Sequence, residues 1–176
     1  MGSFERHAKW WVLGLISLAN FGGYYVYDAV APVVDLLHRQ LGFSYADIGS
    51  LNAVYSLPNV FIALLGGMLA DRFGPARVSV WTAAICCVGT ALTAVGAHLW
   101  LMVLGRFLFG VGGETLFVAL LTGLGRWFMG PRLGIANSWV FFAAIFASPV
   151  CGALADRTRW LWERAWAAAR IRTKCA

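Results

Sequence analysis

The chain has 176 residues, of which 60% are hydrophobic and 12% charged, and its formal net charge is +6. Soluble domains carry about a quarter of their residues as charges, so this composition excludes an ordinary soluble fold. Open strands are excluded as well, because their backbone groups would go unpaired in lipid, and what remains is an all-α membrane protein.

The first residues, Met1 to Lys9, are short and polar. Arg6 and Lys9 beside Trp10 and Trp11 predict a cytoplasmic N-terminus on a multi-pass protein of the cell (inner) membrane. Basic residues before an apolar run also suggest a signal peptide. The run is too long for one and lacks a small-residue cleavage site, so it is read as an uncleaved first span at about residues 10–33. Its second half sets Asn20, Tyr24, Tyr27, Asp28 and Ala31 on one helical face. The segment 34–49, with Asp35, His38, Arg39 and Asp47, returns on the outer side.

A second span is predicted at about 50–69. It carries a polar stripe of Asn52, Tyr55, Ser56 and Asn59, and Pro58 predicts a kink. A charged, Gly-rich hinge from Gly66 to Arg77 joins it to a third span at about 78–97, so the two form a tight helical hairpin. The third span is rich in small residues that permit close helix approach. A fourth span follows at about 99–124 and a fifth at about 133–155, with Pro149 near its outer end. Residues 1–155 thus make an N-terminal transmembrane bundle of about five helices.

Residues 156–176 form a Trp- and Arg-rich basic tail. Span counting puts it outside, against the positive-inside rule. It is either an interfacial helix or a tail that is not a native part of the fold, and the second account is favoured. Leu154-Ala155-Asp156-Arg157 echoes Leu69-Ala70-Asp71-Arg72, but an odd number of spans separates them, so the echo is read as chance.

The basic residues are spread among short loops without an aromatic-lined stripe, which argues against nucleic acid as a partner. Cys86, Cys87, Cys151 and Cys175 form no C-x-x-C pair, and inert thiols are expected rather than disulfides or a metal site. No Ser/His/Asp set or cofactor loop has usable spacing. The span-four glycines follow no strand, so neither an enzyme nor a cofactor is expected.

Ionisable groups inside the membrane cost roughly 2.5 to 3.5 kcal/mol each and usually face a cavity or a partner. Asp28, Arg106 and Glu114 are of this kind. Asp28 and Arg106 lie at depths about 3 Å apart and would pair if their spans are neighbours. A buried carboxylate beside an arginine suits proton coupling, and a static salt bridge is the equal alternative. Glu114 lies about 12 Å along the helix from Arg106. Gly110, Gly112 and Gly113 are expected to leave room beside it for a cationic group. A protonated Glu114 bonded to a neighbouring helix is the alternative. Tyr24, Tyr27, Asn52, Tyr55 and Asn59 are candidates to line an aqueous cavity, or else to bridge helices by hydrogen bonds.

The hinge Gly66-Gly67-Met68-Leu69-Ala70-Asp71-Arg72-Phe73-Gly74-Pro75-Ala76-Arg77 resembles the loop between the second and third spans of the major facilitator superfamily, G-x-L-A-D-R-x-G-x-x-R. Arg106-Phe107-Leu108-Phe109-Gly110-Val111-Gly112-Gly113 resembles that superfamily's fourth-span signature. Tyr27-Asp28, Tyr55-Ser56-Leu57-Pro58-Asn59 and Gly113-Glu114-Thr115-Leu116 resemble its lysosomal dipeptide uniporter branch and bacterial relatives.

The resemblance implies an incomplete N-terminal half of the major facilitator fold. It implies secondary active or facilitative transport of a small organic solute of peptide-like type, with protons as a candidate coupling ion. Glu114 would meet the peptide amino end. Gly67, Asp71, Arg72, Gly74 and Arg77 would form the gating motif. The partners implied are the bilayer, the solute, and the missing C-terminal half or a second copy. Pro75 and Ala76 replace basic residues usual in the hinge, which weakens a latch there, and no cation lies around Ala143 and Ala144 for a peptide carboxylate. The competing expectation is a small membrane interaction protein that does not transport.

Overall fold

The computed structural model describes residues 3–95 and 98–174, which are helical almost throughout and contain no strand. Helix α1 spans Ser3–Asp28, and a short 3-10 turn at Ala31–Val33 leads into α2, Val34–Leu41. Gly42, at φ 70°, ends α2 in a left-handed conformation that glycine adopts without strain. Helix α3, Tyr45–Ser56, then opens on a capping box. The Ser44 hydroxyl accepts from the Asp47 N–H at 3.1 Å, and the Asp47 carboxylate accepts from the Ser44 N–H at 2.9 Å. Two of the helix's orphan donors are satisfied this way.

The kink expected at Pro58 is a break. Helix α3 stops at Ser56 and α4 restarts at Asn59, running to Phe73. Proline has no N–H to give and crowds the carbonyl one turn back, so the helix cannot pass straight through. Leu57 still bonds back to the Ala53 carbonyl, and the Pro58 carbonyl accepts from Ile62 N–H at 2.8 Å.

The charged hinge is more helical than its composition suggests. Helix α4 continues through Asp71 and Arg72, and Gly74 is the residue left outside a helix before α5, Pro75–Val95. Gly74 sits at φ 86°, and the following proline starts α5, where the N–H it lacks would have no helical partner. The same Gly-then-Pro arrangement, Gly130 at φ 61° before Pro131, separates α6, Leu99–Trp127, from α7, Pro131–Lys174.

Among the described residues, four helical stretches are long and apolar enough to cross a membrane: Tyr45–Phe73, Pro75–Val95, Leu99–Trp127 and Pro131–Thr158. Helix α1, expected as the first span, is long enough but less apolar, because Asn20, Tyr24, Tyr25 and Tyr27 dilute its C-terminal half. It nevertheless packs as a member of the bundle, lying along α7. Leu13 and Ile16 join Ala136, Val140, Leu124 and Phe128 in one buried cluster. Helix α7 has 44 residues and continues without interruption from the fifth predicted span into the basic tail. At 1.5 Å per residue it is about 66 Å long, roughly twice the hydrocarbon thickness of a bilayer.

Helix α6 is the axis of the bundle. It packs against α5, α4, α3 and α1. Its most apolar window is 33% buried, against 22% or less for the other spanning stretches. The outward faces are unlike those of a soluble protein. Phe61, Leu64 and Met68 on α4, Val80 on α5, and Trp139 and Ile145 on α7 are all exposed. In water such patches would drive association, whereas in a bilayer they face their own solvent.

Candidate functional site

Helix α6 carries Arg106 and Glu114 eight residues apart, a rise of about 12 Å along its axis. Helices α1 and α3–α4 bring aromatic and amide groups against them.

Arg106 is 2% exposed and is the largest fully buried side chain among the described residues. Its Nη2 donates to the Tyr27 carbonyl at 3.0 Å. Tyr27 lies in the last turn of α1, where carbonyls have no partner within the helix. The guanidinium therefore caps the α1 C-terminus, the end at which a helix dipole favours positive charge. It also lies 5.9 Å from the centroid of the Tyr27 ring. Pairing with the Asp28 carboxylate was one expectation. The geometry instead directs Arg106 to the backbone of the residue before it, and its Nε is buried without a partner.

Glu114 is held from the other side. Asn59, the first residue of α4, donates from Nδ2 to Glu114 Oε1 at 2.7 Å, a length typical of a hydrogen bond to a charged acceptor. The Tyr55 hydroxyl also interacts with this carboxylate. Tyr55 and Asn59, four residues apart across the break at Pro58, both reach α6.

Aromatic rings packed at a tilt join the two polar ends. Tyr55 lies 4.6 Å from the Tyr27 ring and 5.7 Å from the Phe109 ring, centroid to centroid. Tyr24 is 39% exposed and within electrostatic reach of Glu114 and Asp28. Of the residues singled out from sequence, Asp28, Arg106, Glu114, Tyr24, Tyr27, Tyr55 and Asn59 thus fall in one neighbourhood. Asn52 does not join them; it is exposed on α3, and its carbonyl accepts from Ser56 within the same helix.

The space expected beside Glu114 is mostly filled. A Cβ at Gly110 would lie 2.5 Å from the Tyr55 carbonyl oxygen, and one at Gly112 would lie 2.9 Å from Cys86 Sγ and 3.0 Å from the Thr82 carbonyl oxygen. These glycines let α3 and α5 approach the α6 backbone closely, and dispersion contacts made there replace the predicted gap. Gly113 alone of the three keeps ordinary clearance, at 3.7 Å from the Tyr55 hydroxyl.

Sequence reasoning missed one participant, Phe109, which no local signal separates from Phe107. Asn20 sat on the polar face of α1 with Tyr24 and Tyr27, but it is buried and donates to the Val140 carbonyl at 3.0 Å. That bond ties α1 to α7 and leaves the cluster.

The hinge lies apart. Asp71, Arg72 and Arg77 are exposed. The Arg72 guanidinium sits 5.5 Å from the centroid of the neighbouring Phe73 ring, which packs at 5.8 Å on Trp81. Gly66 rather than Gly67 makes the close approach to α6, with a Cβ there falling 3.2 Å from Thr115 Cα.

Residues 14–168 match the Major Facilitator Superfamily. The lysosomal dipeptide transporter MFSD1 of Mus musculus is 39% identical over 128 residues, 70% of this chain and 28% of the relative. The probable sulfoacetate transporter SauU of Cupriavidus necator is 24% identical over 153 residues, covering 85% of this chain and 36% of that protein. The vacuolar basic amino acid transporter 5 of Saccharomyces cerevisiae is 28% identical over 137 residues, 76% of this chain and 23% of its own length. The chain thus spans between about a quarter and a third of the length of these relatives.

Proposed function

The chain belongs to the Major Facilitator Superfamily, and from that premise we propose that it forms the solute-binding part of a carrier for small organic solutes that bear an amino group, with peptide-like compounds as the class. Glu114 receives the ammonium group. Arg106 offers its unpartnered Nε–H to an acceptor at the other end of the solute. Tyr27, Tyr55 and Phe109 flank the path between them, with Tyr24 at its open side. Asp28, beside the Arg106–Tyr27 contact, exchanges a proton as the site opens and closes. Gly67, Asp71, Arg72 and Gly74, with Arg77 at the start of α5, act at the opposite end of α4 as a gating motif against helices of a C-terminal half or of a second copy.

One observation carries this reading. A carboxylate set inside a spanning helix is oriented by an amide and a phenol from two other helix segments. An acid placed at such cost, and aimed by neighbours, suits a charged ligand better than a packing role. The likeness to a dipeptide transporter supports the peptide-like class.

Binding tests the proposal without requiring a full translocation path. The chain is reconstituted in lipid nanodiscs, and binding of radiolabelled dialanine is measured for wild type and Glu114→Gln. Saturable wild-type binding that weakens more than about tenfold in the variant supports the reading, since a charge-assisted bond contributes roughly 1.5–3 kcal/mol. Equal binding by both proteins, or none by either, overturns it and favours the non-transporting interaction protein.

A further inference from the structure

An ionised carboxylate only accepts hydrogen bonds, so the Asn59 amide must turn its NH2 toward Glu114. The amide oxygen is thereby turned away from that bond. Asn59 Oδ1 is buried and has no partner. Leaving a buried acceptor unsatisfied is unfavourable, and native structures rarely keep one without a reason. The Asn59 oxygen and nitrogen share one carbon, so this acceptor lies within a few ångströms of the carboxylate. Two acceptors of different charge thus sit side by side on α4 and α6, one engaged and one open.

We propose that Asn59 Oδ1 and the Glu114 carboxylate act together to count the N–H bonds on a ligand's charged nitrogen, and this inference rests on the reading of Glu114 given above. A primary ammonium has three N–H groups. One meets the carboxylate, a second meets Asn59 Oδ1, and the third remains for the Tyr55 hydroxyl, which lies beside the same carboxylate. A secondary ammonium still satisfies both acceptors. A dimethylated nitrogen has a single N–H; it keeps the charge and the bond to Glu114 but leaves Asn59 Oδ1 orphaned. Asn59 is therefore a specificity residue. It discriminates by hydrogen-bond count among ligands of equal charge.

The test compares dialanine with N,N-dimethyl-dialanine on the chain in nanodiscs. Wild type should prefer dialanine by roughly 5- to 100-fold, the effect of one buried acceptor left unpaired. Equal affinity for the two ligands in wild type overturns the inference without any variant. Methyl bulk alone also weakens binding, and Asn59→Leu, close in size but unable to accept, separates the causes. In Asn59→Leu the preference should collapse to within about twofold, through loss of dialanine affinity. A preference that persists in Asn59→Leu means steric exclusion, or a role limited to orienting Glu114, and overturns the inference. Glu114→Gln distinguishes the two claims. If it leaves the affinity of both ligands unchanged, the underlying reading of Glu114 fails, whereas a loss for both ligands with an unchanged ratio in Asn59→Leu defeats the counting role alone.

Discussion

The two faces of α6 solve opposite problems with neighbouring residues. Toward α5, side chains are removed. A Cβ at Gly105 would fall 2.7 Å from the Gly89 carbonyl oxygen, and one at Gly89 would fall 2.6 Å from the Phe109 nitrogen. Toward α1 and α4, polar side chains are kept, and two of their buried polar atoms, Arg106 Nε and Asn59 Oδ1, have no partner. A lipid-embedded helix lacks a hydrophobic force to hold it against its neighbours, so the first face gains stability from close contact and dispersion. The second face gives up some stability by leaving hydrogen-bonding capacity open. Unspent capacity of that kind is what a binding surface needs, so the contrast separates the scaffold of this helix from its chemistry.

The sharpest way to break the comparison is to overfill the scaffold face. Gly105→Leu should destabilise the bundle by about 3 kcal/mol, at the upper end of overpacking effects, because the obstruction is backbone and cannot rotate away. Denaturant or SDS titration in mixed micelles reads this. Glu114→Gln in the same assay should have a smaller effect, since Gln keeps an acceptor for the Asn59 amide, while its main effect appears in ligand binding.

Arg106→Met tests whether the buried arginine also has a structural duty. Loss of the cap on the Tyr27 carbonyl should cost about 1–3 kcal/mol. Hydrogen exchange should speed up in the last turn of α1 before it does elsewhere. Uniform acceleration across the bundle would mean that Arg106 supports the core generally rather than that one helix end.

Smaller effects follow at the seams. Asn20→Ala removes the bond to Val140 and should cost about 0.6–1.7 kcal/mol, the range for interhelical hydrogen bonds in membranes. The α1–α7 distance distribution, read by spin labels, should broaden. Smallest of all, Gly113→Ala should be nearly silent, within about 0.5 kcal/mol, because a Cβ there has ordinary clearance. Its neighbour Gly110→Ala should be clearly destabilising, since its Cβ would meet the Tyr55 carbonyl oxygen. Similar effects at the two positions would mean that backbone clearance on α6 does not set the cost of adding a side chain.

Much of this was legible in the sequence, because bilayer constraints are coarse and strong. Apolar run lengths pointed to the long helices and Pro58 to an interruption, whereas the Gly-Pro pairs at 74–75 and 130–131 show their role as helix boundaries only in the structure. The rarity of intramembrane charge singled out Arg106 and Glu114 without any alignment. Pairing was not legible. Helical periodicity shows that Asn20, Tyr24 and Tyr27 share a face. It does not show that the neighbour of Asn20 is α7 while that of Tyr27 is α3. The glycines misled for a related reason. An absent side chain means either open space or another backbone, and only the neighbouring helix decides which. The hinge looked like a loop because charge and glycine dominate it, yet Asp71 and Arg72 complete the last turn of α4.

The central claim is that Glu114, oriented by Asn59, holds the charged nitrogen of the solute. Solid-state NMR tests it most directly, through the dipolar coupling between the 15N-labelled amino group of bound dialanine and the 13C-labelled carboxyl carbon of Glu114 in nanodiscs. The account predicts a separation of about 3–4 Å, as a charge-assisted N–H···O bond of about 2.8 Å requires. Saturable binding with no measurable coupling to Glu114 would contradict it.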